Sequence, residues 1–289
     1  MTSSSALINY ANQGLDTEYS QLVVHFDKGR HTIRSSMNSN PRPCFTPTLL
    51  HELKSYLQTV TEYFEALQEN EESEIHYMVL SSENPDVFNL GGDLNLFRAA
   101  IQNGERDALV HYAHACIDVL YPNIISLNSP VTTISLVQGT ALGGGFEAAL
   151  SGNVLIAERS AQMGLPEVIF NMFPGMGAYS LLARRIGMNK AEELILSGKV
   201  FTAEELFDMG IVDVLAEDGE GEQALEKYIK QHSRTRNTRL ALQKVRQRYH
   251  PVEYAELIDI IEIWVDTALN LSNRDLRMMD RLVRAQNKL

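Results

Sequence analysis

The sequence predicts an α/β fold that is followed by a helical region. Between Gln21 and Leu215, short runs rich in β-forming residues alternate with helical patterns, which is typical of layered α/β domains. Two of the β-rich runs end in glycine turns that lead directly into a helix. From Gly221 onward the pattern is helical, without turn-rich strand segments. We therefore expect a core over residues 1–220, with residues 1–20 loosely packed, and a helical region over residues 221–289.

The first half of the core divides into recognisable elements. Gln21–Asp27 alternates like a strand, and residues 28–44, rich in Arg, Ser, Asn and Pro, are expected to form a loop. Thr46 caps a helix that starts at Pro47 and runs to about Asn70. A strand over 75–80 precedes a turn. Further helices are predicted over 94–103, 106–120, 177–185, 189–196, 202–209, 251–271 and from 273 to the end, and strands over 132–137, 153–157 and 212–215.

The run Gln138–Leu150 contains three consecutive glycines, Gly143 to Gly145, between a predicted strand and a helix start. Backbone N–H groups at such a helix start lack a Cβ to shield them, and the helix dipole favours negative charge there. Glu147 lies one helical turn beyond Gly144 and on the same face. An oxyanion donor and a proton-transferring carboxylate would then be neighbours. The alternative is that the glycines serve only close packing and that Glu147 is solvated.

A second glycine turn, Phe88–Leu94, strengthens the catalytic interpretation. Gly91 and Gly92 permit an unusual backbone path, and Asp93 caps the following helix, which ends at Gly104. Two strand–turn–helix units can supply the two N–H donors of an oxyanion hole. A second glutamate, Glu167, lies between proline- and glycine-rich segments twenty residues after Glu147.

The segments Phe88–Leu94, Val137–Leu150 and Met163–Gly177 together resemble the crotonase superfamily, which has the enoyl-CoA hydratase/isomerase fold. The resemblance implies a spiral of ββα units and a C-terminal helical region that covers the site or makes trimer contacts. It implies an oxyanion hole formed by the N–H groups of Leu90 and Gly144, and paired acid/base carboxylates at Glu147 and Glu167. Having both carboxylates is typical of water addition or elimination across Cα–Cβ of an acyl thioester.

The flanking strings, including Asp86–Leu94, Phe173–Ser180 and Met279–Gln286, are similar to the bacterial diffusible signal factor synthases. This closer resemblance implies dehydration of a 3-hydroxyacyl-acyl-carrier-protein and hydrolysis of the thioester to a cis-2-unsaturated fatty acid used in quorum sensing. It further implies an acyl tunnel lined by Met176, Trp264 and Leu282, and a possible sensor-protein partner. We expect no cofactor. We expect a homo-oligomer that is based on a trimer.

Composition excludes several other classes. A net charge of −12 and a pI near 5.1 argue against a general nucleic-acid or membrane-surface binder. The two cysteines, Cys44 and Cys116, form no disulfide framework or metal spacing, and no signal peptide or membrane span is apparent. We therefore expect a cytoplasmic protein. His111 and His114 have a spacing that can hold a metal, but no third ligand is evident, so no metal is predicted.

The stretch from Lys227 to Arg248 is basic throughout and contains no acidic residue. It could dock an acidic carrier protein or a phosphate of its prosthetic group, or it could be a solvated helix face. Two alternatives to signal synthesis remain open. One is an ordinary enoyl-CoA hydratase or isomerase of fatty-acid metabolism, and the other is a catalytically idle family member that binds a partner.

Overall fold

A computed structural model of the protein describes residues 18–67 and 72–286. Its strands form two sheets, and their bounds are β1 Leu22–Asp27, β2 Thr32–Met37, β3 Tyr77–Ser82, β4 Val87–Asn89, β5 Thr132–Val137, β6 Thr140–Leu142, β7 Val154–Glu158, β8 Gln162–Gly164, β9 Val200–Thr202 and β10 Val214–Ala216. The larger sheet has the order β1-β2-β3-β5-β7-β10, and the smaller has the order β4-β6-β8-β9. Only the β1–β2 and β8–β9 pairs are antiparallel. The predicted α/β class is confirmed.

Eleven α-helices lie within the described residues. Their bounds are α1 Pro47–Ala66, α2 Leu94–Asn103, α3 Arg106–Ile124, α4 Gly144–Ser151, α5 Ala178–Ile186, α6 Met188–Ser197, α7 Ala203–Asp208, α8 Gly221–Ser233, α9 Arg236–Tyr249, α10 Tyr254–Leu269 and α11 Asn273–Gln286. A 3-10 helix over Pro166–Phe170, here called η, follows β8. None of the helices in the described part of the chain has the length and hydropathy that a bilayer span requires.

The chain winds in repeated units that contribute one strand to each sheet. In the units β3-β4-α2 and β5-β6-α4, the first strand joins the large sheet, the second joins the small sheet, and a helix returns. The unit β7-β8 follows the same path and continues into η. The predicted ββα spiral is therefore present, and it places β4, β6 and β8 side by side in parallel.

Three packing layers surround these sheets. The main core lies between the sheets and helices α1, α3 and α4, with Phe45, Phe88 and Phe146 among its fully buried side chains. On the outer face of the large sheet, α8 buries Leu225, Tyr228 and Ile229 against β3, β5 and β7. Helices α10 and α11 pack on α2, α3 and η through a separate apolar cluster.

The structure differs from the sequence prediction at several elements. Residues 28–44 are not all loop, because 32–37 form β2, which is hydrogen-bonded between β1 and β3. This strand is buried on both faces, but three of its six residues are small and polar, so it lacks the apolar alternation of an ordinary strand signal. Helix α3 continues through Pro122 to Ile124. The predicted helix end near Asn70 and most of the N-terminal 20 residues lie outside the described residues.

Candidate active site

The three segments singled out in the sequence follow the three parallel strands of the small sheet. The turn Leu90–Gly92 follows β4, the turn at Gly143 follows β6, and Glu167 lies three residues after β8. The carboxyl ends of neighbouring parallel strands meet at one edge of a sheet, which is where α/β proteins usually bind ligands. The fold therefore gathers segments that are 77 positions apart in the sequence at one edge of the small sheet.

The two glycine turns touch each other. Gly91 and Gly143 have φ values of +86° and +53°, in the left-handed region that glycine tolerates best. A Cβ on Gly91 would lie 2.8 Å from the backbone nitrogen of Gly144, and a Cβ on Gly144 would lie 3.3 Å from Gly91 Cα. These approaches explain why glycine is needed at both positions. Gly144 opens α4, where the first N–H groups have no acceptor within the helix.

The predicted assignment of Leu90 N–H as the first oxyanion donor is contradicted by its hydrogen bond. Leu90 N–H donates to the Pro43 carbonyl at 2.8 Å, and Phe45 N–H donates to the Gly91 carbonyl at 2.8 Å. The segment around Pro43 thus pairs with the turn like a short parallel strand and engages this N–H outside the cavity. The nitrogen of Gly92 is the nearest backbone nitrogen of this turn to Gly144, at 3.6 Å from the Cβ position on Gly144.

Glu147 is fixed by the turn that follows η. Its side chain is 1% exposed, and its Oε1 accepts hydrogen bonds from the backbone N–H groups of Met176 at 2.7 Å and Ala178 at 2.9 Å. These two donors stabilise the ionised carboxylate. Glu147 lines the same cavity as Glu167.

Glu167 lies directly over the second glycine turn. A Cβ on Gly143 would lie 2.5 Å from Glu167 Oε1, so the carboxyl occupies the space that a side chain would fill. Its Oε2 atom is buried and has no hydrogen-bond partner among the described residues. A buried polar atom without a partner costs free energy, and a catalytic role is one explanation for such an atom in a native structure.

Burial raises the pKa of both glutamates above the ordinary value for a carboxyl group. For Glu147 the charge of Glu167 raises the pKa further, while the N–H groups of Ala178 and Met176 act in the opposite direction. Two buried carboxyls that repel each other resist simultaneous ionisation, so the pair retains a proton at pH values where isolated glutamates have lost theirs.

The glutamates and glycine turns open on a single apolar cavity of about 130 Å³. All seven residues predicted for the site contribute to its lining: Leu90, Gly144, Glu147, Glu167, Met176, Trp264 and Leu282. Met176 Sδ lies 2.6 Å from the Cβ position on Gly144, and the Trp264 ring packs against Gly175. The C-terminal helices α10 and α11 therefore reach the cavity through Trp264 and Leu282.

Several lining residues were not anticipated from the sequence. Phe97 packs its ring on Gly92 and makes edge-to-face contacts with Tyr112 at 5.0 Å and Trp264 at 5.1 Å between centroids. The Cys116 thiol also lines the cavity, and burial and the charge of Glu147 raise its pKa. Phe97 follows a recognised glycine turn by one helical turn, which is a signal that could have identified it.

Tyr112 supports the first glycine turn. Its hydroxyl accepts a hydrogen bond from Asp93 N–H at 3.0 Å and donates to the Phe45 carbonyl. Asp93 in turn caps α2 by accepting from Asn95 and Leu96 N–H, as predicted, and forms an ion pair with Arg42 at 2.7 Å. These bonds hold the turn against the segment around Phe45.

The remaining predicted features lie away from the cavity. The basic stretch begins in α8, on the opposite face of the large sheet from α4, so it does not flank the glutamates. His111 and His114 are on α3 and do not line the cavity. Within residues 18–67 and 72–286, no group of three or more His, Cys, Asp or Glu side chains is placed to hold a metal ion.

A fold of ββα units with paired glutamates beside two glycine turns defines a crotonase-type protein. The model of the enoyl-CoA hydratase/isomerase family matches residues 55–265, so the chain belongs to that family. Methylglutaconyl-CoA hydratase, mitochondrial, from Mus musculus is 34% identical over 177 residues, which are 61% of this chain and 54% of that protein. The chain spans about half the length of this relative and of its rat and human counterparts.

Solved structures of the same family share the fold. Human mitochondrial delta3-delta2-enoyl-CoA isomerase superposes with a TM-score of 0.76 at 17% identity, covering 93% of this chain and 99% of that chain. An enoyl-CoA hydratase from Bacillus halodurans superposes with a TM-score of 0.75 at 21% identity, covering 91% and 100%. The predicted membership of the crotonase superfamily is confirmed, whereas the closer resemblance to signal factor synthases stays a prediction.

Proposed function

We propose that this protein catalyses reversible addition of water across the C2–C3 bond of an enoyl thioester, with a CoA ester as substrate. The observation that carries the proposal is the pair of buried glutamates, Glu147 and Glu167, facing one apolar cavity beside two glycine turns. Family membership and the hydratase name of the mouse relative support it. Of the readings drawn from the sequence, this alternative fits the comparisons better than signal synthesis does.

In the hydration direction the thioester carbonyl binds between the N–H groups of Gly144 and Gly92, which replaces the Leu90 assignment. These donors stabilise the enolate oxygen that develops when water attacks C3. Glu147, whose Oε1 accepts hydrogen bonds from Met176 and Ala178 N–H, in its ionised form takes a proton from that water. Glu167, whose Oε2 has no partner in the described structure, gives its proton to C2. Dehydration runs the same steps in reverse.

The cavity wall indicates the class of acyl group. The described residues that line the cavity include no Lys, Arg or His, and the side chains beyond the glutamates are mostly apolar. A hydrocarbon chain gives up little hydration free energy when it binds against these apolar side chains. An acyl group that ends in a carboxylate would lose its hydration and would find no cation to pair with. We therefore propose an unbranched fatty acyl chain as the group that is bound.

A second candidate is the synthesis of a cis-2-unsaturated fatty acid from 3-hydroxyacyl-acyl-carrier-protein. The apolar wall formed by Met176, Trp264 and Leu282 favours it, because this wall suits a fatty product. In this case one of the glutamates would also activate water for thioester hydrolysis. An acidic carrier protein would then be the partner, although the basic stretch does not border the cavity.

One experiment separates the candidates. The purified protein is incubated with 2-enoyl-CoA, 3-hydroxyacyl-CoA and the matching carrier-protein thioesters of four to sixteen carbons, and products are identified by mass spectrometry. We expect interconversion of intact enoyl and 3-hydroxyacyl thioesters. Release of free 2-unsaturated acid from the carrier-protein series would replace the hydratase proposal with signal synthesis. Binding of the thioesters without turnover of any would support a catalytically idle family member.

A further inference from the structure

A second concave region of the described structure lies on the outer side of the large sheet, between α8, α9 and the strands β7 and β10. It encloses about 490 Å³. The charged and aromatic side chains of its lining are Lys227, Tyr228, His232, Arg239, Arg246 and Asp213. We call this region the α8–α9 cleft. Among the described residues it shares none with the cavity of Glu147 and Glu167, so the proposed reaction gives it no role.

The α8–α9 cleft carries an excess of positive charge. Lys227, Arg239 and Arg246 are cations at neutral pH, and no ion pair joins any of them to another described residue. Asp213 is the one carboxylate among the described lining residues, and it already pairs with Arg185 at 3.2 Å. The three cations therefore attract an anion from solution into the cleft.

Tyr228 holds one of these cations in place. Arg239 Nη1 donates a hydrogen bond to the Tyr228 hydroxyl at 3.0 Å, and the guanidinium lies over the Tyr228 ring, 5.4 Å from its centroid. The His232 ring contacts the same ring edge to face, with 4.1 Å between centroids. Tyr228 is buried in the apolar cluster between α8 and the large sheet. A cation that is positioned before binding loses less conformational entropy when it pairs with an anion.

The hydrogen-bonding capacity of Arg239 indicates which anion fits. A guanidinium has five N–H donors in a planar fork, which matches pairs of oxygen atoms on phosphate or carboxylate groups. Arg239 Nε is buried and has no partner among the described residues, and a bound water or ion is one explanation for such an atom. Because Arg246 and Lys227 line the same cleft, a group with more than one negative charge uses the available cations better than a carboxylate does. The cleft therefore favours a phosphate group.

The size of the cleft and the rest of its wall indicate an organic body attached to that phosphate. A volume of about 490 Å³ is typical of small-molecule sites, and a phosphate ion alone would leave most of it unfilled. Val154, Val214 and Leu215 add an apolar wall from β7 and β10. A ligand that combines a phosphate with an organic body would contact both the cations and this wall.

We propose that the α8–α9 cleft binds a small molecule that carries a phosphate ester, with the phosphate at Lys227, Arg239 and Arg246. The concave shape suits a small ligand better than a protein partner, which needs about 800 Å² of surface on each side. The cleft adjoins α8, on the opposite face of the large sheet from α4 and Glu147. The proposal is therefore a second binding site, and it does not depend on the proposed reaction.

Isothermal titration calorimetry of the full chain tests the ligand class with four probes. These are inorganic phosphate, ribose 5-phosphate, adenosine 5′-monophosphate and, as the probe without phosphate, adenosine. We expect at least one of the two esters to bind more tightly than inorganic phosphate, adenosine to give no binding heat, and the affinity to fall as sodium chloride is raised. The tighter ester identifies the organic body. Absence of binding by both esters, or equal binding of adenosine and adenosine 5′-monophosphate, would overturn the proposal.

Matched variants locate the site. Arg239→Gln and Arg246→Gln should each weaken binding of the tighter ester about tenfold or more, because each removes charge-assisted hydrogen bonds to the phosphate. Lys244→Gln and Arg248→Gln remove the same charge from the same helix at positions outside the cleft lining, and they should bind the ester like wild type. An equal loss in all four variants would mean that the basic stretch attracts anions generally, and it would overturn the site.

Two further measurements keep the test decisive. Circular dichroism and thermal unfolding establish that each variant is folded. If Arg239→Gln is not, because Tyr228 loses its partner, Lys227→Gln/Arg246→Gln at two exposed positions takes its place with the same expected loss. Poly-glutamate represents an acidic protein surface, and tighter binding of this polymer than of either ester would overturn the small-molecule proposal. No substrate is needed in any of these experiments, so a failure of the proposed reaction leaves them intact.

Discussion

Glu147 and Glu167 differ in what holds them, and this difference is the basis of the roles that we propose for them. Glu147 accepts two backbone N–H groups, whereas Glu167 Oε2 has no partner among the described residues. We expect Glu147→Gln and Glu167→Gln each to leave a folded protein with hydration slowed about 10²–10⁴-fold, the usual effect of losing a positioned acid or base. Steady-state kinetics with an enoyl-CoA substrate measures this, and the double variant should lose less than the product of the single losses. Turnover near the wild-type rate in one variant would remove that glutamate from the mechanism.

The raised pKa of Glu167 also predicts a dependence of stability on pH. Below its unfolded pKa, roughly 4.3, the carboxyl is neutral in both states and burial costs little. As pH rises toward the folded pKa, the unfolded state ionises first and the protein loses stability. Glu167→Gln removes this loss, so we expect its free energy of unfolding to exceed that of wild type by about 1 kcal/mol or more at pH 8. The two proteins should be equally stable near pH 4.

Urea unfolding at pH 4, 6 and 8 tests this expectation. Glu192→Gln, at an exposed position on α6, is the control and should show no such pH-dependent gain. A gain for Glu167→Gln that is the same at every pH would mean that packing, and not ionisation, causes it. A substitution that stabilises the protein while slowing its reaction is expected where a catalytic carboxyl is buried at a cost in stability.

At the scale of elements, the start of α4 is built for a backbone contact. A side chain at Gly144 would meet Met176 Sδ and Gly91 Cα. We expect Gly144→Val to slow turnover about 10²–10³-fold by blocking approach to the N–H, as loss of one oxyanion donor does. Kinetics at saturating substrate, with thermal unfolding as the folding check, measures the effect. If a folded Gly144→Val protein keeps its activity, the oxyanion hole lies elsewhere.

The first glycine turn depends on Tyr112 in α3. Tyr112→Phe would leave the buried Asp93 N–H and the Phe45 carbonyl without this partner, which typically costs about 1–3 kcal/mol. Because the turn adjoins Gly144, we expect kcat to fall more than KM rises. Denaturant unfolding and kinetics are measured together. Tyr121→Phe, on the same helix but outside the cavity lining, is the control. Equal kinetics for Tyr112→Phe and wild type would show that the turn keeps its geometry without this hydroxyl.

The sequence predicts the features that have a local signal and misses those that depend on distant segments. The Asp93 cap and the glycine turns carry strong local signals, and the structure places both predicted glutamates at one cavity. The small sheet was missed because its strands are three residues long, too short for an alternation to register. The Leu90 assignment was wrong because the direction of an N–H depends on Pro43, a distant segment that pairs with the turn only in the fold. Phe97 was overlooked because its one signal, a position one helical turn after a recognised glycine turn, is weak for a single aromatic residue.

At the scale of the whole molecule, the cavity wall is formed partly by the core and partly by the C-terminal helices α10 and α11. Trp264 from α10 contacts Phe97 from α2 and packs on Gly175, the residue before the N–H that holds Glu147. Leu282 from α11 lines the same cavity. The glutamates and glycine turns that we propose to react therefore come from the ββα spiral, while part of the proposed acyl-binding wall comes from the helical region. Chain-length selection and chemistry are expected to be separable by mutation.

Trp264→Ala tests this separation. Each buried methylene adds about 0.8 kcal/mol of binding until the wall ends, so wild type should show a sharp optimum of acyl chain length. Removing the indole opens the wall beside Phe97 and Gly175, so longer chains should gain relative to shorter ones and the optimum should lengthen or broaden. Ratios of kcat/KM across four to sixteen carbons measure this shift, with Trp264→Phe as the conservative control. If the variant loses activity equally on all lengths, Trp264 supports the Glu147 turn through Gly175 and does not select the chain.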